Sequence, residues 1–126
     1  MRRGLLGICV LLALLLGGIF VSCKMRNTHL EISQLLQQAQ ASANAGDWQK
    51  ASVLAEQAKM RWQKHHHFTA SFADHNPMDE LDGLFSELMV YLENQESPHF
   101  EATCARLSFL AQAMADSHSP QWWNIL

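Results

Sequence analysis

The chain has 126 residues, a formal charge of −3 and seven histidines. That length supports one domain with a modest core. All twelve carboxylates lie beyond residue 26, where five lysines and arginines remain, so residues 27–126 carry five minus twelve, or −7. A surface of that sign repels phosphate backbones and disfavours nucleic acid as a partner.

Gly4 to Cys23 contains no charged side chain, with Arg2 and Arg3 before it and Lys24 and Arg26 after it. About 20 apolar residues at 1.5 Å each span a hydrocarbon core of roughly 30 Å. The run therefore reads as a transmembrane helix, with the lipid bilayer as its partner through residues 4–23. The slight excess of positive charge before it, together with the free amino group, places the N-terminus inside and the domain outside the cytoplasm. The expected organisation is a membrane anchor over residues 1–26 and an extracytoplasmic helical domain over 27–126, a single-pass protein of the cell membrane.

Three processing fates are open. An uncleaved signal-anchor is the simplest. A lipoprotein signal would make Cys23 the lipidated residue, with Ser22 suited to the position before it and Phe20 a poor third residue upstream. A cleaved secretory signal has a shorter apolar core and a small-x-small site, which Phe20-Val21-Ser22 lacks. Ala13-x3-Gly17 and Gly18-x3-Ser22 set small residues one turn apart, a spacing that lets two membrane helices approach closely. Such residues are also common in membrane helices with no partner.

Beyond the anchor the periodicity predicts four helices. The first runs from about Leu30 to Ala45 with Thr28 as its cap, and Ile32, Leu35, Leu36, Ala39 and Ala43 form its stripe. Gly46 ends it and Asp47 caps the second, where Trp48, Ala51, Ala55, Ala58 and Trp62 share one face. The second helix continues through His65-His66-His67 to about Phe72, and Asp74-His75-Asn76-Pro77 breaks it. The third runs from about Met78 to Glu93, with Asn76 as its cap and a stripe of Met78, Leu81, Leu84, Phe85, Leu88 and Leu92. Ser97-Pro98 opens the fourth, where Phe100, Thr103, Leu107, Leu110 and Met114 recur, and it ends near Asp116. The expected fold is all-α: an N-terminal transmembrane helix followed by a four-helix antiparallel bundle. Ala43-x2-Gly46-Asp47-Trp48-x2-Ala51 resembles a tetratricopeptide-repeat hairpin, and the matching offsets in the second and fourth helices suggest two such hairpins. Lys59, Arg61 and Lys64 on the second helix are expected to face Asp79, Glu80 and Asp82 on the third.

No catalytic constellation emerges. Asp79, Glu80 and Asp82 suit the first turn of a helix, where carboxylates complement the dipole. Neither a nucleophile elbow nor a glycine-rich phosphate loop accompanies the serines and cysteines. Cys9, Cys23 and Cys104 are not spaced as a disulfide framework or a zinc set, and no cofactor is implied. Consecutive helical residues point about 100° apart, so His65, His66 and His67 cannot all face one ion. A metal set would have to be drawn from His66, His67, His75 and Asp79, against the plainer reading of solvated imidazoles. Trp122 and Trp123, near a tail that ends Asn124-Ile125-Leu126, suit either core packing or a contact with a partner protein or membrane interface.

Trp62, Phe72-x-Asp74-His75, Asp79, Leu88-x2-Tyr91 and the terminal Asn124-Ile125-Leu126 together resemble a bacterial family of short proteins, domain of unknown function 4363. The resemblance implies one N-terminal membrane segment and a helical domain, and it implies no chemistry. The expected function is a non-catalytic envelope module that engages another membrane or envelope protein. The alternative is a histidine-rich metal-binding or sensing module, or a lipoprotein.

Overall fold

A computed structural model of the chain describes residues 1–69 and 76–117. These residues are all-helical, with no strand among them, and form α1 (Arg2–Asn44), α2 (Trp48–Thr69), α3 (Asn76–Glu93) and α4 (Ser97–Ser117). The expected break between anchor and domain is absent. α1 is a single helix of 43 residues that holds both the apolar run and the first helix of the bundle. The cause is local. Residues 23–30 contain no glycine or proline. Thr28, expected to cap a new helix, instead donates its hydroxyl to the Lys24 carbonyl at 3.0 Å. A hydroxyl bonded four residues back belongs to a helix interior. Four helices therefore stand where five were expected.

α1 packs on α2 and α4, and α3 packs on α4 and, less extensively, on α2. The core draws on Ile32, Leu36 and Ala39 of α1, Ala51, Ala55, Ala58 and Trp62 of α2, Leu81, Phe85 and Leu88 of α3, and Phe100, Cys104, Leu107 and Ala111 of α4. Ala51, Ala55 and Ala58 recur at steps of four and three and are wholly buried. Such a ridge of methyl groups lets neighbouring helix axes lie close.

The buried arc of α4 differs from expectation. Phe100, Thr103 and Leu107 are buried as expected, but the arc continues through Cys104, Ser108, Ala111 and Ala115. Leu110 and Met114 are only partly buried at its edge. Ser108 faces α1, where its hydroxyl lies 2.8 Å from that of Ser33 and accepts the Gln37 side-chain N–H at 3.1 Å. Hydroxyls that satisfy one another can be buried at a helix interface, and their small size brings α4 close to α1.

The two described turns between helices use the same device. Gly46 and Asp47 donate their N–H groups to the Ala43 and Ser42 carbonyls, each at 2.9 Å; Gln95 and Glu96 donate to Leu92 at 3.2 Å and Tyr91 at 2.9 Å. This bond pair requires a left-handed residue. Gly46 supplies it at φ 80°, and Gln95 holds it at φ 51° as a non-glycine. Asp47 then caps α2, accepting the Lys50 N–H at 3.0 Å. At α4 the cap falls one residue before the expected Ser97. The Glu96 carbonyl accepts the Phe100 N–H at 2.9 Å, and the Ser97 hydroxyl donates to Glu101 at 2.7 Å from within the helix.

The charges also pair differently from expectation. Arg61 of α2 pairs with Glu31 of α1, and Glu80 of α3 with Arg106 of α4 at 2.8 Å. Asp82 instead accepts the Trp62 ring N–H and lies beside the His66 ring.

Candidate functional site

Three helices converge around Trp62. Trp62 and His66 are four residues apart on α2 and so share one side of it; His65 lies between them, and His29 comes from α1. Trp62 is 1% exposed, as is His29. The Trp62 indole N–H donates to Asp82 Oδ1 at 2.6 Å, and His66 Nδ1 lies 3.2 Å from Asp82 Oδ2. One carboxylate of α3 thus takes both of its oxygens to rings of α2. The His29 and His65 rings meet edge to face with centroids 4.6 Å apart, and Trp62 lies 6.3 Å from His29 and 5.8 Å from His66.

Structurally, this carboxylate clasp ties α2 to α3. Chemically, it sets the His66 ring beside a carboxylate oxygen. Neither His29 nor the role of Asp82 was anticipated from sequence. The signal for His29 was its place in the α1 stripe, three residues before Ile32 and seven before Leu36. For Asp82 the available cue was only its membership of an acidic cluster.

Of the residues considered for a metal, His66, His67 and Asp79 fall among the described residues. Among the described residues, no three or more His, Cys, Asp or Glu side chains are grouped to hold an ion. His66 is drawn to Asp82, and His67 lies against it with ring centroids 6.4 Å apart. Asp79 is exposed in the first turn of α3. His75, and the Trp122 and Trp123 pair, lie outside the described residues. Cys104 is buried in the core, and burial, with Glu101 beside it, pushes its thiol up to about 12. A thiol so placed is inert at neutral pH.

The second feature is the first half of α1. It is long and apolar enough to cross a membrane, and none of its apolar window is buried against the protein. Leu6, Leu14 and Phe20 are each about two-thirds exposed or more, at 66%, 71% and 69%. Cys23 is exposed at the end of this stretch with a free thiol. From His29 onward the same helix turns a face into the core.

A family model described as a domain of unknown function, DUF4363, matches residues 19–125. The chain belongs to the DUF4363 family. The match begins inside the apolar run and extends through all four helices. The family unit therefore includes the stretch of α1 where exposed apolar helix becomes core helix. Trp62, Asp79, Leu88 and Tyr91, which carried the resemblance in the described part of the chain, all fall within it. No curated protein and no solved structure matches the chain.

Proposed function

We propose that this DUF4363 protein is a single-pass, membrane-anchored module of the bacterial envelope that acts by engaging another membrane or envelope protein, without catalysis. One observation carries this reading. An apolar half-helix that no described residue buries runs unbroken into a packed bundle. Exposed apolar area on that scale marks a membrane or protein contact. With no linker between the two parts, the direction of the membrane segment would set the direction of the domain. The short turns at 45–47 and 94–96 support two hairpins of antiparallel helices, similar to tetratricopeptide hairpins, and the positive charge at Arg2 and Arg3 supports a domain outside the cytoplasm.

Fractionation tests the anchor. The full chain is expected to stay in the membrane pellet through alkaline carbonate extraction, and its domain to be digested by protease added outside intact cells from which the outer layer has been stripped. Release into the carbonate supernatant overturns the anchor, and protection from protease overturns the orientation. Intact mass separates the spanning form from one lipidated at Cys23. The Trp122 and Trp123 pair is the tail's candidate contact. Cross-linking of a Trp122→Ala, Trp123→Ala variant is expected to lose a neighbour that wild type retains, and an unchanged pattern removes the tail from the proposal.

A further inference from the structure

The interface between α2 and α3 is closed at one end and open at the other. At one end the Trp62 N–H donates to Asp82 across it. Towards the two turns the helices leave a groove of ≈ 510 Å³ with Trp48, Met89, Leu92, Val90, Glu56 and Glu93 among its walls. Trp48, Met89 and Leu92 are partly buried and form the apolar floor, and Val90 is 53% exposed at the rim. From Trp48 to Glu56 the groove follows α2 for about 12 Å at 1.5 Å per residue, enough for two turns of a partner helix.

Its charge is one-sided. The lining contains two glutamates and no lysine, arginine or histidine. Among the described residues neither Glu56 nor Glu93 is in an ion pair. A groove with an apolar floor takes the apolar face of an amphipathic helix, and rim carboxylates outside ion pairs favour cations beside that face.

Other occupants fit less well. A second copy would bring a domain of −7 against an acidic rim, and residues 117–126 contain no lysine or arginine to answer it.

We infer that the α2–α3 groove docks a basic amphipathic helix of a partner protein, its apolar side chains on Trp48, Met89 and Leu92 and its lysines or arginines on Glu56 and Glu93. The inference rests on the reading of this chain as an interaction module and names the kind of segment that module would hold.

The test uses the full chain in nanodiscs of neutral phosphatidylcholine, with empty discs subtracted. The probe is a fluorescent helical peptide with leucines three and four residues apart and lysines beside them, and a second peptide carries glutamates in place of the lysines. Anisotropy is expected to show the lysine peptide bound about tenfold more tightly, and a Glu56→Lys, Glu93→Lys chain to lose about tenfold in affinity for it. Glu87→Lys with Asp116→Lys makes the same change in net charge away from the groove and is expected to leave binding within about threefold, the range of screened surface charge. Equal binding of both peptides, or equal losses in the two double variants, overturns the groove as the site. Circular dichroism checks that each variant keeps its helices. If the chain stays in the membrane while the groove test fails, only the groove inference falls. Release of the chain into the carbonate supernatant removes the anchored-module reading, whatever the peptides do.

Discussion

α2 carries a tryptophan near each end, and the two show how one helix pair can be shut at one end and open at the other. Trp62 is buried, and its N–H reaches across to Asp82. Trp48 is only partly buried; one side packs on Phe100, edge to face at 5.5 Å, and another lines the groove. The difference lies in what α3 offers opposite each ring. Opposite Trp62 stands a short carboxylate that can accept an N–H. Trp48 shares the groove lining with Met89 and Leu92 of α3. An indole with its N–H bonded across the interface draws the helices together, whereas one held by packing alone leaves room beside it.

Truncating the two rings tests this contrast with the largest effects. Trp62→Ala is expected to cost about 3–5 kcal/mol in chemical denaturation, as for other wholly buried aromatics. Trp48→Ala is expected to cost less than half of that, and equal losses would erase the distinction. Next comes the acceptor. Asp82→Ala leaves the Trp62 N–H buried without its carboxylate and is expected to cost about 1–3 kcal/mol. In a Trp62→Phe background the same change should cost much less, and the double-mutant cycle reads the coupling.

The turns at the open end give a smaller effect of opposite sign. Gln95 holds a left-handed φ that costs a non-glycine residue about 1 kcal/mol, so Gln95→Gly is expected to raise stability by about that much and Gly46→Ala to lower it similarly. If Gln95→Gly destabilises, the Gln95 side chain supplies a compensating contact.

The ionisation of Cys104, buried in the core on α4, has no effect at neutral pH and a visible one in alkali. Its pKa rises from 9.0 unfolded to about 12 folded. The folded state therefore disfavours the thiolate, and the stability due to the neutral thiol is complete below pH 9 and is lost as pH climbs towards 12. Cys104→Ala is expected to flatten that part of the pH–stability profile, and an unchanged slope would assign the alkaline loss to other groups.

Much of the fold was legible because it rests on local rules. Steps of three and four picked out Ile32, Leu36, Ala55, Trp62, Leu81, Leu88 and Leu107, and all are buried. Gly46 and Asp47 marked a helix end and a helix start, and both act so. What escaped was what depends on neighbours. Ser33 and Ser108 look like surface residues until each meets the other. Gln95 has no glycine to announce its turn. Thr28 reads as a cap in isolation, yet with no breaker around it the helix runs on and its hydroxyl bonds backward. The candidate site was the least legible part, since His29, Trp62 and Asp82 are 33 and 20 residues apart along the chain and adjacent only once three helices have packed.

By itself the sequence determined that the chain is helical, that its first twenty-odd residues are too apolar to suit water, and that the rest is acidic. These are properties of composition and short-range spacing. Tertiary structure alone decided that the Ser33 and Ser108 hydroxyls meet, that Asp82 joins α3 to Trp62 of α2, and that Glu56 and Glu93 line one groove. Those outcomes depend on which side chains meet, and a stripe on one helix specifies a face but not what will stand opposite it.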